Sequence, residues 1–286
     1  MPVNIRLAAL GCACLIAFAI ASGVWWQALR PEPPRLTVSF LDIGQGDSIL
    51  IQGPGGARVI IDGGPDTSVL RELPKRLGWF GHAVDLMVET HPDKDHIAGL
   101  VDVLRKYDVS YFLEPGIPGT TATSRTLERS VETEPGLRRF IARRGMRLHL
   151  GGGAYADVLF PDRDVSHGDT NDGSIALRVV YGTTSFLMAG DLPTPEEDYL
   201  AGIDGAGLRS DVLKASHHGS RFSTSDLWLA AVHPSVVVIS AGKGNRYGHP
   251  APEVLERTRA AGARIVSTMD SGTLTFVSDG TRIAGP

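Results

Sequence analysis

The sequence predicts a layered α/β domain, two packed β-sheets with helices on their outer faces, preceded by one membrane-spanning helix. Three observations carry this expectation. Residues 35–286 read as short apolar strands in runs, with helical spacing interspersed in both halves, the grammar of layered sheets sharing one core. No composition shift or short repeat divides this stretch, so it reads as one domain. The segment between Arg6 and Arg30 carries no charge at all.

That first segment, LAALGCACLIAFAIASGVWWQAL, is 23 residues long. As a helix it would extend roughly 34 Å, enough to cross a hydrocarbon core of about 30 Å. Trp25 and Trp26 sit where an interfacial anchor belongs, and Pro31-Glu32-Pro33-Pro34 ends the helix in a stiff linker. Residues 1–34 are therefore read as a membrane anchor or signal segment with its linker. Small residues around Ala19–Ser22 keep a cleaved, secreted form as the alternative. Arg6 and the terminal amine favour a cytoplasmic N-terminus, which puts the following domain outside the cytoplasm.

Within the domain, Leu36–Ile43, Ser48–Gln52 and Ala57–Ile61 read as strands, with a turn at Gly53–Gly56. Ser68–Leu77 reads as an amphipathic helix, Val84–Val88 as a buried strand and residues 97–106 as a helix. Thr120–Arg144 is polar and reads as a surface loop and helix. Strands follow near 157–160, 174–181, 184–189, 211–215 and 235–240, with helices near 194–201, 224–231 and 251–261 and two closing strands.

Composition narrows the chemistry. Hydrophobic content of 42% and charged content of 21% suit a globular core, and 34 glycines with 18 prolines imply many turns. The two cysteines, Cys12 and Cys14, both lie in the apolar N-terminal segment, so the domain has no thiolate site and any metal must be held by imidazole and carboxylate. Net charge is −4, and without Arg6 and Arg30 there remain 26 basic residues against 32 acidic. A tight non-specific duplex binder shows the opposite bias. A nucleic-acid substrate stays open, without support from composition; protein partners are not indicated.

The decisive segment is Val88-Glu89-Thr90-His91-Pro92-Asp93-Lys94-Asp95-His96, where an apolar strand ends, four ligand-type side chains fall within six residues, and a helix begins. Two neighbouring carboxylates need a cation or a proton to relieve their repulsion. A plainer reading makes Asp93 or Asp95 a helix cap. Asp191, after Phe186–Ala189, and His217-His218, after Val212–Lys214, also follow strand ends, as does His249 after Val236–Ile239. Two adjacent histidines point in different directions, so at most one of His217 and His218 is expected to hold a metal. His82, His149, His167 and His233 lack such context and read as structural.

At these residues the sequence resembles the metallo-β-lactamase superfamily, and within it the hydrolase domains of the ComEC competence group. The resemblance rests on Asp42–Ser48, His91–His96, Lys214–Ser220 and Asn245–Pro250 and covers roughly residues 36–280. It implies a four-layer αββα sandwich with one or two divalent ions at one edge. It assigns His91 and Asp93 to one ion, Asp95 and His96 to the second, Asp191 as the bridge, and either His218 or His249 as the late ligand. Asp62-Gly63-Gly64 matches the family's strand-end turn. Asp93 stands where the wider superfamily has a histidine, and only Asn171 or His167 is near the place of another. The site is thus oxygen-rich, and Mn2+ or Mg2+ joins Zn2+ as a candidate. The implied activity is metal-dependent phosphodiester hydrolysis, with single-stranded DNA as the expected substrate, Asp95 orienting the nucleophile and His217 or Lys214 steadying a substrate oxygen. A hydrolase of small esters, lactones or thioesters, and a non-catalytic nucleic-acid-binding or assembly module, are the alternatives.

Overall fold

The computed structural model describes residues 17–22, 25–26, 34–78 and 81–286, and the chain divides into two compact units, residues 1–34 and 35–286. In the first unit residues 17–22 and 25–26 are helical, with Phe18, Ile20, Trp25 and Trp26 exposed. The expected membrane span falls largely on residues outside those described. Among the described residues no helix is long and apolar enough to cross a membrane.

In the second unit the described strands form two sheets. One holds β1 (Leu36–Phe40), β2 (Ile49–Gln52), β3 (Arg58–Ile61), β4 (Ala83–Val88), β5 (Asp108–Glu114), β6 (Arg138–Ile141), β14 (Leu274–Ser278) and β15 (Ile283–Ala284), in the order β15-β14-β1-β2-β3-β4-β5-β6. The other holds β7 (Arg147–Gly151), β8 (Ala154–Phe160), β9 (Ala176–Tyr181), β10 (Thr184–Met188), β11 (Val212–Lys214), β12 (Val236–Ile239) and β13 (Arg264–Ser267), in the order β13-β12-β11-β10-β9-β8-β7. Strands β3 to β6 run parallel, as do β10 to β13, so in each sheet several C-terminal strand ends share one edge.

Alternation along each strand explains the layers. Phe186 and Met188 of β10 face the inter-sheet core with Val38, Phe40, Ile51 and Val88, whereas Leu187 faces outward. Helices cover both outer faces. Val69–Leu77 (α1), Lys94–Lys106 (α2) and Ala122–Thr133 (α3) pack Leu73, Ile97, Leu100 and Leu127 on Leu50, Ile60, Met87 and Phe112. Thr194–Asp204 (α4) and Asp226–Val232 (α5) pack Leu200, Trp228 and Val232 on Leu213, Val237 and Ile239. Pro252–Ala260 (α6) and Thr268–Ser271 (α7) complete the helices. Two buried faces per sheet are why Phe186–Ala189 and β12 read as unbroken apolar runs.

Helix α2 is seated without side chains between it and the turn after β3. A Cβ on Gly99 would lie 2.0 Å from the Gly63 carbonyl oxygen, and Gly63 N–H donates to the His96 carbonyl at 2.6 Å. The helix begins at Lys94, three residues before the apolar periodicity announces it. Four strands were not foreseen, the two-residue β15 among them. Arg138–Ile141 lies inside the stretch expected to be loop and helix; it is an edge strand exposed at every position, so it shows no alternation. Asp108–Glu114 and Arg147–Gly151 are likewise strands.

Candidate metal centre

The parallel strand ends deliver the polar residues to one place. β4 ends at Val88 and leads through Thr90 to His91; β10 leads through Gly190 to Asp191; β11 ends at Lys214 and leads to a turn at Ser216–Gly219. Asp93 is the residue before α2, extended at φ −79° and ψ 146°, and makes no side-chain cap, so its carboxylate stays free for another partner. Asp47 enters from the loop between β1 and β2, where its N–H donates to the Asp95 carbonyl at 3.3 Å.

Asp47, His96, Asp191 and His218 are buried, with ligand-type atoms within 4.8 Å of one another. Asp191 Oδ2 lies 3.3 Å from both His96 Nε2 and His218 Nε2, and His218 Nε2 lies 3.4 Å from Asp95 Oδ2. The His91 ring stands 4.1 Å from that of His96, centre to centre, and His91 Nε2 lies 3.9 Å from Asp93 Oδ2. The far side of each imidazole is anchored. His96 Nδ1 donates to Asp62 at 2.8 Å, His218 Nδ1 to the Ser240 carbonyl at 3.0 Å, and His91 Nδ1 meets Thr90 Oγ1 at 3.1 Å. A carbonyl or carboxylate on Nδ1 fixes a proton there and directs Nε2 at the cluster, where its lone pair is free for a cation once any second proton is displaced.

Those three Nε2 atoms, on His91, His96 and His218, are buried and have no hydrogen-bond partner. Orphaned buried nitrogens are costly, and here three converge beside carboxylates. The residues therefore fit a divalent cation, or two. Electrostatics agree. Burial acts to lower His96 and His218, yet the Asp191 carboxylate, with Asp62 at His96 and Asp47 at His218, outweighs it and raises both well above the ordinary histidine value. Burial acts to raise Asp191, but His218, His96 and Lys214 hold it well below the usual carboxylate range. A cation entering such a cluster displaces protons from the imidazoles.

Lys214 does not play the role expected of it. It is fully buried, and its ammonium donates to the Gly190 carbonyl at 3.0 Å, to Asp191 Oδ1 at 3.4 Å and closely to Asp47 Oδ2. All three donors are engaged inside the protein, so it fixes two carboxylates and cannot reach a substrate oxygen. His217 can. Its side chain is 31% exposed, on the open rim, with Nε2 3.8 Å from Asp191 Oδ2. Between the two candidates for the late ligand, the fold brings His218 into the buried group. His249 stays at the rim, half-buried, with its ring 6.4 Å from that of His218 and 5.5 Å from that of His217. Asn171, in a short turn at Asn171–Gly173, carries a buried unpaired Oδ1.

Asp47, Asp62 and Thr90 stood in the sequence only as members of the segments singled out, with no role assigned to them as supports. Asp62 accepts from Thr90 N–H at 2.8 Å and from its hydroxyl at 2.7 Å as well as from His96. The available signal was a carboxylate directly after the apolar run Val59–Ile61, and a lysine ending the apolar strand Val212–Lys214.

A model of the metallo-β-lactamase superfamily matches residues 41–243. The chain belongs to that superfamily. Among its relatives, ComE operon protein 3 of Bacillus subtilis is 28% identical over 257 residues, covering 84% of this chain and 32% of the relative. Competence protein ComA of Neisseria gonorrhoeae is 31% identical over 251 residues, covering 86% and 33%. The chain thus spans about a third of the length of these relatives. Among solved structures, the metallo hydrolase Igni18 of Ignicoccus hospitalis shares the fold with a TM-score of 0.54 at 18% identity, over 85% of this chain and 98% of that one. The protein is thus a metallo-β-lactamase-superfamily domain similar to part of each of these relatives, with a buried Asp/His group suited to divalent metal.

Proposed function

We propose that this chain is a divalent-metal-dependent phosphodiesterase acting on DNA. The observation that carries the hydrolytic part is the position of Asp191, 3.3 Å from two buried, unpaired imidazole nitrogens at an open strand-end edge. An oxygen-rich donor set, with Asp93 in a place the superfamily often gives to histidine, suits the harder ions that serve phosphoryl chemistry. The names of two relatives, Competence protein ComA and Recombination protein 2, support DNA as the substrate.

In this reading His91 and Asp93 would hold one ion and Asp95, His96 and His218 another, with Asp191 as a further ligand. A divalent ion held there supplies Lewis acidity and a water of lowered pKa. The chain's own residues supply order. Asp62, Thr90 and the Ser240 carbonyl lock the imidazole tautomers, and Lys214 fixes Asp191 and Asp47. Asp95 orients the attacking water, and His217 donates from the rim to a substrate or leaving-group oxygen. The purified full chain should contain a divalent ion by elemental analysis and cleave bis(p-nitrophenyl) phosphate and single-stranded DNA. Asp95→Ala and His96→Ala should each lose bound metal and at least about a hundredfold in turnover while circular dichroism stays native. A wild-type protein that binds no divalent ion, or that is metal-loaded and cleaves no DNA, RNA or phosphodiester, would refute the proposal.

A further inference from the structure

The edge that carries the buried group also holds a cleft of about 440 Å3 lined in part by Asp95. Its walls are Gln45 on one loop, Lys94 at the start of α2, and Arg246 and Tyr247 on the loop after β12. Asp95, whose Oδ2 lies 3.4 Å from His218 Nε2, ties the cleft to the buried group.

Three features give the cleft a chemical character. The first is charge. The chain carries a net −4, and many of its arginines are spent on carboxylates, as Arg76 on Glu72, Arg139 on Glu114 and Arg147 on Asp157. Lys94 and Arg246 are exposed and, among the described residues, in no ion pair. Arg246 instead lies over the Tyr247 ring at 4.9 Å and donates to its hydroxyl at 2.7 Å. The second is an aromatic surface. Tyr247 is 53% exposed and stacks on His249 at 5.8 Å and 25°. The third is rigidity. Asn245 Nδ2 donates to the carbonyls of Gly242 and His249 at 3.0 and 2.5 Å, and its Oδ1 accepts from the N–H groups of Tyr247 and His249 at 3.1 and 3.0 Å. Gly242 N–H donates to Gln45 Oε1 at 3.1 Å, so the two loops flanking the cleft are tied together. An exposed loop tip is thus held in one shape while presenting a cation and a ring.

From this geometry we infer that the cleft binds the nucleotide adjoining the scissile phosphodiester in a single-stranded polynucleotide, with Lys94 and Arg246 on its phosphate and Tyr247 against its base. A small ester or lactone would leave both cations and the ring unengaged. A base stacked within a duplex has no free face for Tyr247, whereas an unpaired base does. The inference rests on the phosphodiesterase reading for the word scissile, but the binding it claims is measurable without turnover.

The test uses the full chain, a fluorescein-labelled octathymidylate read by anisotropy, and turnover of that oligonucleotide beside bis(p-nitrophenyl) phosphate, which has no flanking nucleotide. Tyr247→Ala should weaken oligonucleotide binding about tenfold, and Tyr247→Phe, which keeps the ring, should restore it to within about twofold. Arg246→Met should reduce the slope of log K against log salt by about 0.7, one phosphate contact on a single strand. In turnover the loss should fall on KM, and be several-fold larger for the oligonucleotide than for the small phosphodiester. Wild-type affinity in Tyr247→Ala, equal losses on both substrates, or duplex bound as tightly as single strand would each overturn the inference. If the wild type cleaves neither substrate yet binds octathymidylate through Tyr247, the phosphodiesterase reading falls and the nucleotide subsite stands.

Discussion

Two turns bring buried imidazoles to this centre, and they do so by opposite means. In the turn from Thr90 to His96 the backbone is relaxed, with Asp93 extended, and a regular helix carries His96. One carboxylate, Asp62, anchors that ring and the Thr90 N–H and hydroxyl together. In the turn after β11, His217, His218 and Thr224 all take positive φ, 49°, 56° and 55°, a conformation that non-glycine residues avoid. It takes a buried network to hold them there. Ser223 Oγ donates to the carbonyls of Ser216 and Ser220 at 2.7 and 3.0 Å, and Glu197 accepts from the N–H groups of Thr224 and Ser225 at 2.8 and 2.9 Å. A ligand on a helix needs a single anchor, whereas one on a strained turn needs a scaffold of polar groups that never touch it.

The comparison is most sharply broken at Lys214, the cation that precedes the strained turn. Lys214→Met leaves Asp47 and Asp191 buried without their ammonium and should cost about 3–5 kcal/mol in urea unfolding. A loss below about 1 kcal/mol would show that the carboxylates have another counter-charge and that the strained turn does not depend on it.

Glu197 comes next, through pH. Burial pushes its carboxyl up to about 7, against an ordinary 4.5, with the Thr224 and Ser225 N–H groups opposing the rise. Between those values the folded chain holds a proton that the unfolded chain has released, so stability falls as pH rises from 4.5 to 7 and levels off above. The Glu197 part of this slope is at most about 3 kcal/mol. Glu197→Gln should remove it, seen as a wild-type-minus-variant difference in thermal unfolding across that window. Glu89, raised to about 8 by burial and by Glu114, acts in the same sense and remains in both proteins. A difference that does not change with pH would mean that Glu197 is ionised throughout.

On the relaxed turn the expected effect is smaller for the fold and falls on the metal. Asp62→Asn keeps the shape but places an N–H where His96 or Thr90 donates, and should weaken divalent-ion affinity about 10- to 100-fold by competition titration. Unchanged affinity would mean that the helix alone positions His96.

The same contrast explains what could be read in the sequence. His91, Asp93, Asp95 and His96 were legible because local chain geometry brings them together, four within six residues. Asp191 and the histidine pair were legible as polar residues directly after apolar strands, which marks an edge but not a partner. The supports were not legible. Asp47 meets Lys214 across more than 160 residues of sequence, and the meaning of each depends on the other. The choice between His218 and His249 was equally out of reach, because the left-handed backbone at His217 and His218 turns the second ring inward in a way no residue pattern encodes. For the fold, strands buried on both faces announced themselves as apolar runs, while the exposed edge strand Arg138–Ile141 carried no such mark.

The backbone-to-backbone seat of α2 on the turn at Gly63 has a consequence for how such a protein can change over time. A helix seated on core side chains shifts when one of them is exchanged for a different volume. Here the helix bearing Asp95 and His96 is registered by main-chain atoms at Gly63 and Gly99, which no ordinary substitution alters except by filling the gap. The placement of the ligands is thereby insulated from turnover of the core. Two small residues thus set, through main-chain contact, where Asp95 and His96 stand against the turn after β3.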